Sequence, residues 1–150
     1  MTVIAIEDPG QPDIVALLRA ADEWYATLYP AESNHLLDVG MLQKPEVSFF
    51  VARQPDGILL GYGAVVDQGD YAEIKRMYVT SAARGLKLGR RLLDSLEARA
   101  AELGHGCIRL ETGIRQPEAI GLYRKAGYRD IGPFGDYAPD PLSLFMEKRL

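Results

Sequence analysis

From Tyr78 to Leu93 an extended apolar stretch gives way to a loop bearing Arg84, Gly85, Lys87, Gly89 and Arg90, and then to a Leu-rich helical run. A strand–loop–helix joint of this composition is built to hold phosphate. Backbone N–H groups from Gly85 to Arg90 would point at the ligand, the helix N-terminus would add partial positive charge, and Arg84, Lys87 or Arg90 could supply full charges. The chain around it must therefore provide a strand, a crossover helix and a neighbouring strand to receive it.

The 150 residues suit a single domain, 1–150, large enough to bury roughly 70% of its unfolded surface. No apolar run approaches the roughly 20 residues that span a bilayer, so no membrane partner is expected. A net charge of -4 argues against non-specific binding to nucleic acid. Cys107 is the single cysteine, which excludes an internal disulfide and a cysteine metal cluster. With no basic and apolar leader ahead of Ile4, a reducing cytoplasm is the expected location.

Periodicity supplies the rest of the order. Ile4 to Glu7 reads as a strand ended by Pro9-Gly10-Gln11-Pro12, with Asp13 a plausible cap for a helix reaching Leu28 on Ile14, Leu17, Leu18, Ala21, Trp24 and Tyr25. Ser33 suits the start of a second short helix through Met41. Val47 to Arg53, Ile58 to Asp67 and Tyr71 to Thr80 are Val-, Phe-, Tyr- and Ile-rich runs separated by turn residues, which predicts an antiparallel meander. Leu88, Leu92, Leu93, Leu96, Ala100 and Leu103 keep helical period up to Gly104. Cys107 to Thr112 alternates as a strand, Pro117 opens a helix to about Ala126, and strands from Gly127 and from Leu142 follow. The expected fold class is mixed α/β (α+β), a mostly antiparallel sheet with helices on both faces and one right-handed crossover.

Two segments of this order resemble the motifs of the Gcn5-related N-acetyltransferases (GNAT). The family's acetyl-CoA signature, Arg or Gln followed by Gly-x-Gly or Gly-x-Ala after two residues, is matched by Arg84-Gly85-Leu86-Lys87-Leu88-Gly89, with Lys87 at the first signature glycine. The second motif reads Gln116-Pro117-Glu118-Ala119-Ile120-Gly121-Leu122-Tyr123-Arg124-Lys125-Ala126-Gly127-Tyr128, with Gln116 in place of Asn. The resemblance implies a GNAT-like acyl-CoA N-acyltransferase fold, acetyl-CoA as co-substrate and no metal. It implies that Met77, Tyr78 and Val79 offer backbone groups to the acetyl and pantetheine moieties, and that Arg84, Gly85, Leu86, Lys87, Leu88, Gly89 and Arg90 cradle the pyrophosphate. Gln116 would contact pantetheine, and Tyr123 would protonate the departing thiolate.

An amine of pKa about 10 is only on the order of 0.1% neutral at pH 7, a handicap of roughly 4 kcal/mol, so a base is needed. The family often places a glutamate where Glu73 stands, four residues before Met77. Four extended residues span about 13 Å, so Glu73 is expected to act through water, unless a β-bulge near Arg76 or Met77 shortens the path. Glu73 equally suits a cross-strand partner for a basic residue. A backbone N–H near Tyr78 suits the oxyanion, and a phenol at Tyr123 stays protonated at neutral pH.

The long connection from Tyr128 to Pro141 offers Phe134, Asp136, Tyr137 and Asp140 as an acceptor pocket, or as a solvated turn; Arg76 or Arg115 could instead bind an acceptor carboxylate. His35 is a weaker candidate for the substrate border, His105 reads as a solvated turn residue and Cys107 as a packing residue. Gly61-Tyr62-Gly63 lacks the helix a dinucleotide fingerprint needs. The predicted activity is direct acetyl transfer, in a ternary complex, to a primary amine of a small or amino-acid-like acceptor. Alternatives are a protein Lys or N-terminal acceptor, and a non-catalytic acyl-CoA sensor; a homodimer is compatible with the family.

Overall fold

The computed structural model describes residues 1–33, 37–83 and 86–150. His35, Arg84 and Gly85 lie outside the described residues. Strands β1 (Val3–Ile6), β2 (Val47–Arg53), β3 (Leu59–Asp67), β4 (Ala72–Val79), β5 (Cys107–Gly113), β6 (Arg129–Ile131) and β7 (Ser143–Arg149) are joined by helices α1 (Pro12–Leu28), α2 (Val39–Leu42), α3 (Leu88–Glu102) and α4 (Pro117–Lys125). They form one sheet in the order β1-β2-β3-β4-β5-β7-β6. Its pairs are antiparallel except β4 with β5, the pair that α3 connects.

Strand alternation sends side chains to two cores. Tyr62 and Ala64 of β3 join Phe49 and Val51 of β2 beneath Ile14 and Leu18 of α1 and Leu42 of α2. Val65 of β3, with Ala72, Ile74, Ile108, Leu110 and Met146, packs on the other face against Leu93, Leu96 and Ala100 of α3 and Tyr123 and Ala126 of α4. Helices thus cover both faces, as the apolar periodicity of α1 and α3 predicts. Gly104 follows α3 with φ +87, a left-handed turn that a Cβ would penalise.

Three local readings are corrected. The N-cap of α1 is Gln11, with Pro12 at the first helical turn where its missing N–H costs nothing; Asp13 instead binds Arg53 at 2.6 Å. The segment after Tyr29 forms a single turn at Ala31–Ser33, and α2 begins later, where the Asp38 side chain accepts from Met41 N at 2.8 Å. His105 is not solvated: its Nε2 lies 2.8 Å from Asp67 Oδ1 and its side chain is 6% exposed.

Tyr29, just past α1, reaches across to the end of β5. Its hydroxyl accepts from Arg115 N at 3.1 Å and Gln116 Nε2 at 3.3 Å, and Arg115 Nη1 donates to Leu28 O at 2.7 Å. The approach is possible because position 113 is glycine: a Cβ there would meet Tyr29 Oη at 1.9 Å. At the far end of the same strand, buried Glu147 of β7 accepts from Arg109 Nε at 2.9 Å and Arg129 Nη2 at 3.2 Å. The Arg109 bond leads in holding its carboxyl at about 2, against an ordinary 4.5.

Gly113→Ala is expected to destabilise the fold by about 1–3 kcal/mol through overpacking, and Tyr29→Leu to relieve much of that loss, a non-additivity that a double-mutant cycle by denaturant unfolding measures. Because the folded carboxyl of Glu147 titrates below the unfolded one, its stabilisation is complete above the unfolded value near 4.5 and fades as pH falls toward about 2. Glu147→Gln should therefore lower thermal stability at pH 7, and the gap from wild type should narrow on titration from pH 5 to pH 2.

Candidate functional site

The site begins with an irregularity in β4. Tyr62 pairs with Tyr78, but Ala64 pairs with Lys75, so one extra residue is accommodated at Arg76 and Met77. Arg76 takes φ +60, a left-handed value uncommon for a side-chain-bearing residue. Its guanidinium holds it there, donating to Asp22 Oδ1 at 2.5 Å and to Leu37 O at 3.0 Å. The bulge that the sequence left open as an exception is thus present, and it swings the end of β4 away from β5. Pairing between these strands runs only from Ala72 with Ile108 to Ile74 with Leu110.

Where they part, a cleft opens between them. Ile74, Met77, Thr112, Gln116 and Tyr123 line it with residues of the α3 and α4 side, and Tyr25, Tyr29, Ser33, Lys75, Arg76, Glu111 and Gly113 line it toward α1. Tyr123 is 5% exposed and packs edge-on against Tyr128, 5.6 Å between ring centroids. Burial, with a smaller contribution from Tyr25, pushes its phenol above the ordinary range; burial likewise pushes Tyr25 up to about 12. Both phenols keep their protons at neutral pH.

Met77 borders the cleft and the α3 core, Val79 packs toward Ala52, Leu60 and Leu92, and Tyr78 turns to the α1 face, stacking on Tyr62 at 5.8 Å. Beyond β4 the described part of the loop expected to hold phosphate leads into α3. Lys87 is the N-cap, exposed, with φ 53 and ψ 31, so this lysine takes up a left-handed turn, and among the described residues no side chain caps the helix. The first-turn N–H groups of Leu88, Gly89 and Arg90 are those a helix leaves without internal partners. Leu88 is buried as the anchor, Leu86 is half exposed, and Arg90 is exposed and pairs with Asp94 at 3.0 Å. Gly89 allows α3 to approach α4, since a Cβ would lie 3.1 Å from Leu122.

Glu73 is 3% exposed and lies one residue outside the lining of the cleft. Its carboxylate accepts from Gln68 Nε2 at 3.1 Å and Tyr137 Oη at 2.6 Å, and Lys75 Nζ stands 3.3 Å from it while also donating to the Tyr137 hydroxyl. Phe134 and Tyr137 belong to an aromatic knot with Tyr71 and Phe145. Asp140 accepts from Leu142 N at 2.8 Å, and Asp136 is exposed. The loop carrying these four residues therefore covers Glu73 and Lys75, and the lining of the cleft contains none of the four.

Sequence reasoning missed Glu111, Tyr25, Tyr29 and Lys75. The one available signal was position: Glu111 alternates with buried Leu110 on the strand next to β4, and its charge reads as solvent-facing.

Against known proteins, residues 14–128 match the model of the acetyltransferase (GNAT) family. An IAA acetyltransferase from Azospirillum brasilense is 51% identical over 98% of this chain and 97% of its own length. A Klebsiella pneumoniae structure assigned as an acyl-CoA N-acyltransferase superposes with a TM-score of 0.84 at 38% identity, over 100% of this chain and 98% of that one. The PaiA N-acetyltransferase of Thermoplasma acidophilum, solved with coenzyme A, shares the fold at a TM-score of 0.75 and 18% identity, over 100% and 99%. With the split sheet, the tyrosine-bearing α4 and the full-length likeness all in agreement, the chain belongs to the GNAT family of acetyltransferases.

Proposed function

We propose that the protein transfers the acetyl group of acetyl-CoA directly to a primary amine of a small or amino-acid-like acceptor, within a ternary complex. The observation that carries this reading is a cleft where β4 and β5 part, lined by Tyr123 of α4 together with Lys75, Arg76, Tyr25 and Glu111. In this reading the two substrates meet between β4 and β5, and no enzyme-bound acetyl group is required. Cys107 supports this: it lies at the opposite end of β5 from the cleft, and burial raises its thiol pKa, which disfavours the thiolate nucleophile.

In this reading the uncapped start of α3, with Lys87 and Arg90, receives the pyrophosphate. The exposed edge of β4 from Met77 to Val79 offers backbone groups to pantetheine and to the carbonyl oxygen as it gains charge. Gln116, held by Tyr29, stands beside that path. The nitrogen attacks the thioester carbon, the C–S bond breaks, and Tyr123 gives its proton to sulfur. Glu73 promotes loss of the amine proton at a distance, through the groups that contact it. Tyr137 binds Glu73 and Lys75, and the loop it shares with Phe134, Asp136 and Asp140 bounds the acceptor side from behind.

A thiol-release screen across aryl amines, polyamines, amino acids and Lys-containing peptides, followed by mass identification of the product, tests the proposal. IAA joins the panel because the Azospirillum relative is named for it. Acceptor-dependent thiol release is expected; coenzyme A binding with no such release would mark a sensor instead. Tyr123→Phe is expected to lower kcat by about 100-fold or more while the Kd for coenzyme A, by calorimetry, stays nearly constant. Unchanged turnover would remove Tyr123 from the acid role.

A further inference from the structure

We infer that Glu111 is the carboxylate that receives the acceptor amine and takes its proton, with Glu73 as a positioning residue behind it. This rests on the amine-transfer reading above and goes beyond it by moving the reacting base from β4 to β5. The argument starts from register. Glu73 pairs with Arg109 and Ile74 with Leu110, so Lys75 and Glu111 are the first residues past the point where the two strands part. Glu111 also sits opposite Phe145 of β7, which puts it on the α1 face of the sheet, and Ser143 Oγ donates to its Oε2 at 2.7 Å. It lines the cleft there, while Tyr123 lines it from the α4 side.

The two glutamates differ in access. Glu73 is enclosed by Gln68, Tyr137 and Lys75 and is absent from the lining, whereas Glu111 belongs to it. General-base catalysis requires hydrogen-bond reach to the proton being removed, so the carboxylate in the cleft has the geometry and the enclosed one does not. Lys75 links them: it faces the cleft beside Glu111 and is bound to Glu73 and Tyr137 behind.

The groups facing Glu111 come from every neighbouring element. They are Lys75 and Arg76 of β4, Tyr25 and Tyr29 of the α1 arm, Tyr123 of α4, Tyr137 of the covering loop, Ser143 of β7, and Arg109 and Glu73 further back on the same face. Arg76 is engaged by Asp22, and Lys75 stands 3.3 Å from Glu73.

The proton account closes. An ammonium acceptor gives one proton to a Glu111 oxygen and attacks with the lone pair so freed. As the C–S bond breaks, Tyr123 protonates sulfur, and the second nitrogen proton restores Tyr123. Glu111 then returns its proton to water, leaving amide and free thiol.

The test uses benzylamine, spermidine and leucine as acceptors, taking whichever wild type acetylates fastest. Glu111→Gln is expected to lower kcat/KM by about 100-fold or more and to erase the acid limb of its pH profile, with the Kd for coenzyme A unchanged. Glu73→Gln should lower the rate but keep that limb, and Glu111→Asp should keep the limb with reduced kcat. A Glu111→Gln enzyme with the wild-type profile, or loss of the limb in Glu73→Gln alone, overturns the inference while amine transfer stands. Should Glu111→Gln fail to bind coenzyme A, Glu111→Asp decides, and unchanged kcat there is also fatal. Wild type inactive toward all three amines sinks the transfer reading itself.

Discussion

The ion pair between Arg76 and Asp22 is the interaction on which the site depends. A residue with φ +60 in the middle of a strand costs on the order of 1 kcal/mol or more, and it persists only where its surroundings over-determine it. Here a side chain 3% exposed is gripped by a carboxylate of α1 and by the carbonyl of Leu37, so that helix α1 and the α2 approach hold the bulge in place from outside the sheet. The bulge parts β4 from β5, and the parting makes the cleft. Packing on the α1 face is in this sense upstream of the chemistry between the strands.

Much of this was readable in advance because its signals are local. The Leu periodicity and Gly104 fix α3, the turn residues between Val47 and Thr80 fix the meander, and the two motif segments fix how α3 and α4 flank the crossover. The bulge at Arg76 and Met77 is only an open alternative in the sequence, raised by the distance from Glu73 to a site near Tyr78. The phosphate-loop residues from Leu86 to Arg90 stand at the start of α3 as expected, with Lys87 in the left-handed turn that its type disfavours.

What was not readable depends on what lies above each strand. Arg109 and Glu111 alternate with Ile108 and Leu110, and alternation alone reports one apolar face and one polar face. It does not report that the polar face is roofed by Phe134, Tyr137 and Phe145, or that Tyr29 reaches across to Gly113 from a helix more than eighty positions away in sequence. The length of the loop through Phe134 and Asp140 and its aromatic and acidic residues suit either an acceptor pocket or a solvated turn. Those aromatics instead stack on one another, and Tyr137 and Asp140 spend their hydrogen bonds inside the fold.

A sheet that opens in its middle leaves backbone to be accounted for. Beyond Ile74 the edge of β4 that would face β5 has no strand paired with it among the described residues, and buried N–H and C=O groups without partners are costly. Water can satisfy them in the free protein, and an extended polar chain can satisfy them better, because its own amides match the strand repeat. Coenzyme A carries such amides in its pantetheine arm. In the proposed reading, the same divergence that would admit the thioester also supplies the groups that would align it, and a single defect in one strand would serve both donor and amine. Tightening β4 against β5 would make a more regular sheet and remove both functions together.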